Sequence, residues 1–232
     1  MTQEPVTLPE VQAILFDMDG TLVETHNRWA GVLAEKLAPL QRVLPRFDPR
    51  VWGRKLVMAI ETPSNYAIST LEHLGIDTNL FGISDRIRRS KGLATRKRSQ
   101  LIEGSEELLI ALKGRYKLAV VTTRARPEAL AFVEQSGFAR FFDMIVTRQD
   151  GWWMKPHPGP VRRAAALLGT TPRQCVMVGD TTMDIRSARR AGAFAVGVLS
   201  GFGEREELER AGAHLILDRA EQLLDYLPQN SG

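Results

Sequence analysis

The chain has 232 residues, of which 44% are hydrophobic and 25% are charged, and this composition is typical of a globular protein with its own core. Its formal net charge of +4 suits an anionic partner, either a phosphate ester or a nucleic acid. The polar segment from Met1 to Glu10 is unlike a secretory signal, and no stretch approaches the roughly 20 apolar residues of a membrane span, so we expect a soluble, cytoplasmic protein.

Five short apolar runs without a polar face, and a sixth candidate that begins with a histidine, predict strands that are buried on both sides of a parallel sheet. In chain order they are Ala13 to Phe16, Leu118 to Val121, Met144 to Val146, Cys175 to Val178, Phe194 to Val198 and His214 to Leu217. Helical patterns of crossover length alternate with these runs. They are Ser105 to Leu112, Pro127 to Gln135, Gly159 to Leu168, Met183 to Ala191, Glu204 to Arg210 and Arg219 to Leu227. The alternation predicts an α/β fold with a doubly wound, Rossmann-like parallel sheet.

The alternation stops between the first apolar run and Ser105, where the pattern is helical and contains no convincing strand. We therefore expect an inserted all-α subdomain at residues 23–101, with the α/β core at residues 10–22 and 102–228. Its predicted helices are an apolar stripe at residues 29–40, a helix capped by Asp48-Pro49 that runs to Ile60, a stripe at residues 67–74 and a helix at residues 80–97.

Polar residues follow four of the apolar runs, and the carboxyl ends of strands in an open parallel sheet border the ligand crevice. They are Asp17 and Asp19 after the first run, Thr122 and Thr123 after the second, Lys155 beyond the third, and Asp180 to Asp184 after the fourth. We expect these residues to converge at one edge of the sheet.

The residue types suit phosphoryl transfer, which depends on positioning and on neutralising negative charge. Asp17 can attack phosphorus, provided that a cation such as Mg²⁺, held by Asp17 and Asp180, offsets the repulsion between carboxylate and phosphate. Lys155 adds a positive charge and Thr122 a hydrogen-bond donor. Asp19 could protonate the leaving oxygen and later deprotonate water.

The sequence resembles the haloacid dehalogenase superfamily of phosphatases, whose four ordered motifs it matches over nearly its whole length. The matching segments are Asp17-Met18-Asp19-Gly20-Thr21-Leu22, Thr122, Lys155-Pro156 and Gly179-Asp180-Thr181-Thr182-Met183-Asp184. The insertion resembles the helical cap of the phosphoglycolate phosphatase and β-phosphoglucomutase branch. Two positions depart from that branch, where Asn is usual at Thr123 and Asp at Glu24.

The resemblance implies a role for each matching residue. Asp17 would be the nucleophile, and Asp19 the acid and base as well as a metal ligand through its backbone. Thr122 and Lys155 would bind phosphate, and we include Thr123 with them. Asp180 would bind the metal, and Asp184 would support it.

We therefore expect a Mg²⁺-dependent phosphatase that hydrolyses a small phosphomonoester, in the manner of a phosphoglycolate phosphatase. Its expected partner is a small phosphorylated metabolite rather than a nucleic acid or a membrane. A sugar phosphomutase with the same core is one alternative, and a non-catalytic phosphate- or nucleic-acid-binding protein that uses the basic stretch at residues 86–98 is another. The substrate, the oligomeric state and the role of Trp152 and Trp153 stay open.

Overall fold

The computed structural model of the chain describes residues 10–24, 28–42, 44, 47–49, 51–53, 56 and 101–228. By its internal contacts the chain divides into two units, Met1–Glu24 with Ser99–Gly232, and Thr25–Arg98. The first unit is thus interrupted once along the sequence. The predicted assignment of the two units as catalytic core and cap stays a prediction.

The described part of the first unit contains one parallel sheet of six strands. They are β1 (Ala13–Phe16), β2 (Lys117–Val121), β3 (Met144–Val146), β4 (Cys175–Gly179), β5 (Phe194–Val198) and β6 (Leu215–Leu217). Their order is β3-β2-β1-β4-β5-β6, and Phe16 of β1 lies opposite both Val120 and Val178. The predicted doubly wound sheet is confirmed. The strand order reverses at β1, and a ligand crevice is expected at such a reversal.

Both faces of the sheet are buried, which explains why its strands lack a polar face. Ile14 and Phe16 belong to one apolar cluster, whereas Ala13 and Leu15 belong to the cluster on the opposite face. Successive side chains of a strand point to opposite faces, so every residue of β1 must be apolar when helices cover both sides.

The helices of the described residues alternate with the strands. They are α1 (Arg28–Leu37) in the second unit, and α2 (Ser105–Leu112), α3 (Arg126–Gln135), α4 (Gly159–Leu167), α5 (Thr182–Ala191) and α6 (Arg205–Ala211) in the first. Short 3-10 helices span Ala38–Arg42, Phe138–Arg140, Pro172–Gln174 and Ala220–Asp225. None of the helices in these ranges is long and apolar enough to cross a bilayer.

The predicted α-helix over residues 219–227 is wrong in type, because a 3-10 helix occupies Ala220–Asp225. Its N–H groups bond three residues back, from Gln222 to the Arg219 carbonyl (3.3 Å) and from Tyr226 to the Leu223 carbonyl (3.1 Å). Pro228 follows closely and disfavours helical backbone at the residue before it, so the segment ends before an α-helix could lengthen.

Part of the predicted helical insertion can be compared with the structure. Residues 49, 51–53 and 56 are helical, and the Val51 N–H donates to Asp48 Oδ1 (3.4 Å), as expected of a capping aspartate. The predicted helices at residues 67–74 and 80–97 lie outside the described residues, as does the basic stretch at residues 86–98.

The chain leaves and re-enters the first unit at one place. Val23 and Leu101 form an isolated antiparallel bridge, and the Ile102 N–H donates to the Leu22 carbonyl (3.1 Å). The Ser105 hydroxyl donates to the same carbonyl (3.3 Å). An insertion at this point therefore leaves the ends of the interrupted unit joined to each other.

Candidate active site

Asp17 is the first residue beyond β1, and its backbone pairs with the neighbouring strand β4. Its backbone N–H donates to the Val178 carbonyl (2.8 Å), which continues the pairing of the two strands by one residue. Its side chain is 12% exposed, and Oδ1 accepts a hydrogen bond from the Lys155 ammonium (2.7 Å). The carboxylate is thus held at the reversal of strand order, with limited access to solvent.

Lys155 connects three segments of the site. Its buried Nζ donates to Asp17 Oδ1 (2.7 Å), to Asp184 Oδ1 (2.5 Å) and to the Val121 carbonyl (2.9 Å). Burial by itself lowers the pKa of this lysine, but Asp17 and Asp184 outweigh burial and raise the pKa above its ordinary value. The lysine is therefore a fixed positive charge, and the expectation that it lies beside Asp17 is met.

Asp180 follows β4 and is completely buried. Its Oδ2 accepts a hydrogen bond from the Phe202 N–H (2.8 Å), whereas Oδ1 has no hydrogen-bond partner among the described residues. An unpartnered oxygen on a buried carboxylate is costly, and a bound cation would relieve that cost.

Asp184 lies in the first turn of α5 and has two sets of contacts. Its Oδ2 accepts hydrogen bonds from the Thr181 N–H (3.0 Å) and hydroxyl (2.5 Å), which completes a capping box at the start of the helix. Its Oδ1 faces Lys155. A helix-capping role and a supporting role at the site are therefore compatible in this one residue.

The three aspartates form a buried acidic cluster. One carboxylate oxygen from each of Asp17, Asp180 and Asp184 lies within 4.8 Å of the others. Burial is the largest cause that raises the pKa of Asp17 to about 7 and the pKa of Asp180 well above its ordinary value, and the neighbouring carboxylates add to both shifts. Lys155 offsets only part of this negative charge. The donor set fits a hard divalent cation such as Mg²⁺, which prefers carboxylate oxygens and water.

Three glycines surround Asp180 closely. A side-chain carbon on Gly20 or Gly201 would collide with its carboxylate, and one on Gly203 would collide with its backbone carbonyl. Gly20 also has a φ of 79°, a backbone conformation that L side chains rarely adopt. The loop at residues 201–203 is thus part of the wall around the acidic cluster.

Asp19 is not one of the three clustered aspartates, and its carboxylate binds Arg124, a residue that is not among those predicted from the sequence. Arg124 Nε donates to Asp19 Oδ2 (2.7 Å), and Arg124 Nη2 donates to Asp19 Oδ1. Burial lowers the pKa of Arg124, but the ion pair with Asp19 outweighs this effect and raises it. One signal in the sequence could have indicated this residue, because Arg124 stands two positions after Thr122 in a turn that borders the crevice.

Thr122 lies at the end of β2 and is buried. Its N–H donates to the Val146 carbonyl (2.9 Å), and its hydroxyl oxygen accepts a hydrogen bond from the Arg124 N–H (3.2 Å). Because the hydroxyl accepts this bond, it retains its own proton for a ligand. Thr123 beside it is partly buried.

The two tryptophans before Lys155 lie at the surface. Trp152 is 66% exposed and Trp153 is 57% exposed. The Trp153 ring stacks on the His157 ring, with centroids 4.5 Å apart. Met154, by contrast, is buried. Trp153 therefore packs within its own loop.

The chain is similar to known proteins over most of its length. A family model described as haloacid dehalogenase-like hydrolase matches residues 14–198. A protein of Bacillus pumilus named pyrophosphatase PpaX is 30% identical over 92% of this chain and 95% of its own length. A similarly named protein of Bacillus velezensis is 29% identical over 94% of this chain and 97% of its own.

Solved structures show the same fold. A haloacid dehalogenase-like hydrolase from Streptococcus pneumoniae matches with a TM-score of 0.66 and 24% identity, over 94% of this chain and 98% of that one. A structure titled as a predicted phosphoglycolate phosphatase from Haemophilus somnus matches with a TM-score of 0.64 and 23% identity, over the same shares of the two chains.

Proposed function

Because this chain belongs to the haloacid dehalogenase-like hydrolases, we propose that it is a Mg²⁺-dependent phosphatase that forms an aspartyl-phosphate on Asp17. The observation that carries this proposal is the acidic cluster, in which oxygens of Asp17, Asp180 and Asp184 lie within 4.8 Å of one another. The Lys155 ammonium donates hydrogen bonds to two members of this cluster, Asp17 and Asp184. Together they supply a nucleophile, cation ligands and a fixed positive charge.

In the first step, a carboxylate oxygen of Asp17 attacks phosphorus, and the bond from phosphorus to the leaving oxygen breaks. Asp19 gives its proton to that oxygen, and Lys155 and Thr122 stabilise the transferring group. In the second step, Asp19 takes a proton from water, which attacks phosphorus and releases Asp17. A cation bound by Asp17, Asp180 and the backbone of Asp19 would neutralise charge between carboxylate and phosphate.

The proposed substrate is a small phosphomonoester such as phosphoglycolate. The name of the Haemophilus somnus structure supports this class, and the fixed charge of Lys155 suits any phosphoryl group. The relatives named pyrophosphatase make pyrophosphate a second compound to test, since it presents the same terminal phosphoryl group with phosphate as the leaving group.

The test is release of inorganic phosphate from a panel of small phosphoesters and pyrophosphate, with Mg²⁺ and with excess chelator. We expect turnover with Mg²⁺, its loss on chelation, and at least a ~10³-fold lower kcat in Asp17→Asn, since removal of a covalent nucleophile can lower kcat by about 10⁶-fold. Asp218→Asn is a matched control, because Asp218 also follows a strand but is exposed.

Several outcomes would contradict the proposal. Turnover by folded Asp17→Asn would show that Asp17 is not the nucleophile. Turnover in excess chelator would show that the reaction needs no divalent cation. Conversion of one phosphate ester into an isomer without phosphate release would identify a phosphomutase. Salt-sensitive binding to DNA or RNA without hydrolysis of any ester would favour a binding protein.

A further inference from the structure

We propose that Arg124 is a positioning residue for Asp19, which it holds in the orientation needed to protonate the leaving group. The inference rests on the proposed phosphatase function. It assigns no contact with substrate to Arg124 and concerns only how the acid is held.

The pair has an asymmetric environment. The Arg124 side chain is 5% exposed, whereas that of Asp19 is 25% exposed. The arginine is therefore the fixed, buried partner, and the carboxylate is the partner that reaches solvent. The guanidinium carbon lies over the Phe132 ring, 5.4 Å from the ring centroid. This contact limits the movement of the guanidinium toward the ring.

Two backbone hydrogen bonds also restrain Arg124. Its N–H donates to the Thr122 hydroxyl (3.2 Å), and its carbonyl accepts from the Arg148 N–H (3.3 Å). The guanidinium thus projects from a residue that is tied to the ends of both β2 and β3. Because these bonds involve only backbone atoms of Arg124, they can persist when its side chain is replaced.

Two hydrogen bonds from one planar group fix direction as well as distance. The Nε and Nη2 atoms each bind a different oxygen of Asp19, a fork that a lysine ammonium cannot reproduce. If one bond opens, the other still holds the carboxylate. We infer that Asp19 delivers its proton from one oxygen while Arg124 retains the other.

The dependence of the reaction on its leaving group tests this inference. An alkyl phosphate needs a proton for its alcohol to depart, whereas p-nitrophenyl phosphate releases a stable phenolate. We expect Arg124→Met to lower kcat/KM for an alkyl phosphate by about 100-fold, the lower limit for general acid catalysis, but for p-nitrophenyl phosphate by less than about 10-fold. Arg124→Lys, which keeps the charge without the fork, should lie between wild type and Arg124→Met with the alkyl phosphate.

A double-mutant cycle separates positioning from a general effect on the fold. In an Asp19→Asn background, Arg124→Met should change kcat/KM for p-nitrophenyl phosphate by less than about 3-fold, because the group on which it acts is already gone. The losses in melting temperature of Arg124→Met and Asp19→Asn should likewise be less than additive. Arg126→Met is the matched control, since Arg126 begins α3 two residues beyond Arg124 and binds Asp150 but is 48% exposed. It should leave the ratio of the two substrates unchanged.

Equal losses with both substrates would overturn the inference, as would an undiminished effect of Arg124→Met in the Asp19→Asn background. Additive losses in melting temperature would show that the pair is not coupled, whatever the activity. A folded wild-type protein that hydrolyses neither substrate would instead overturn the proposed function, and the catalytic role of Arg124 with it.

Discussion

Lys155 brings one positive charge to three buried carboxylates, and this imbalance is the central feature of the site at the scale of residues. It binds Asp17 and Asp184 but is not among the hydrogen-bond partners of Asp180, whose Oδ1 has none in the described part of the chain. The excess negative charge in a buried place is what a divalent cation would offset.

This imbalance predicts that Asp180→Asn stabilises the protein when no divalent cation is present. The substitution replaces a buried carboxyl, which must either carry an unfavourable charge or bind a proton, with a neutral side chain of the same shape. In chelator we expect a melting temperature about 2–4 °C above that of wild type, which corresponds to about 1 kcal/mol for a chain of this size. With Mg²⁺, wild type should gain more than the variant, and thermal melts in the two buffers measure both effects.

The exposed Asp218→Asn variant again provides the control, with no change expected in either buffer. A lower melting temperature for Asp180→Asn in chelator would contradict the prediction. So would an equal response of wild type and variant to Mg²⁺.

The site residues differ in how far the sequence could predict them. Asp17 directly follows an apolar run and Asp180 follows another after one glycine, so a parallel sheet brings them to one edge whatever the details of its loops. Arg124 could not be predicted in this way, because an arginine in a polar turn is usually solvated. Its burial depends on Asp19, 105 residues away along the chain, and on Phe132 beneath it.

At the scale of elements, the start of α5 belongs both to the fold and to the site. Thr181 caps this helix, and the same hydroxyl binds the carboxylate that contacts Lys155. The positive end of the helix dipole also favours an acidic residue in the first turn. The orientation of Asp184 is therefore set by ordinary helix capping rather than by a device specific to the site.

Thr181→Ala should accordingly reduce both stability and activity. Loss of the capping bond should lower the free energy of unfolding by about 1 kcal/mol. Since Asp184 loses its hydroxyl partner, we also expect weaker binding of Mg²⁺, measured as a higher Mg²⁺ concentration for half-maximal phosphate release. Chemical denaturation measures the first effect.

Thr171→Ala offers a matched comparison, because Thr171 belongs to a capping box at the short helix Pro172–Gln174. Thr171 is exposed and takes no part in the acidic cluster. Thr171→Ala should therefore lower stability without changing the Mg²⁺ requirement. An unchanged Mg²⁺ requirement in Thr181→Ala, or a changed one in Thr171→Ala, would refute the shared role of the α5 cap.

The elements themselves could be predicted where burial is complete. The apolar run at Ala13–Phe16 gives the bounds of β1 as observed, because a strand covered on both faces needs an unbroken run of apolar residues. The prediction of an α-helix at Ala220–Asp225 was wrong, because the spacing of its apolar residues fits both an α-helix and a 3-10 helix. The choice between them depends on the following proline and on local hydrogen bonds.

At the scale of the whole molecule, the acidic cluster affects global stability because its protonation changes when the chain unfolds. The pKa of Asp17 is about 7 in the folded protein, against an ordinary value of 3.8, and that of Asp180 is also raised. The metal-free folded state therefore holds protons that the unfolded state has already released. Its stability is greatest below the ordinary value and falls as pH rises through the folded value.

Other groups in the described residues respond in the opposite sense. Hydrogen bonds from Leu118 and Lys113 outweigh burial and lower the pKa of Asp143, so its contribution is lost only in more acidic solution. Burial, together with Arg189, lowers the pKa of His214, so its contribution is lost as pH falls below 6.5. A single pH curve would mix these effects, but His214 and Asp143 contribute equally with and without Mg²⁺.

The difference between the curves with chelator and with Mg²⁺ isolates the cluster. Between about pH 5 and about pH 8, we expect the stabilisation by Mg²⁺ to increase with pH, because the cation replaces protons that the cluster loses. Urea unfolding at several pH values measures this difference. Asp17→Asn should flatten it, since one of the titrating carboxylates is gone. Parallel but separated curves for wild type would mean that Mg²⁺ binding is not linked to titration of the cluster, and coincident curves would mean that the cation does not bind in this range.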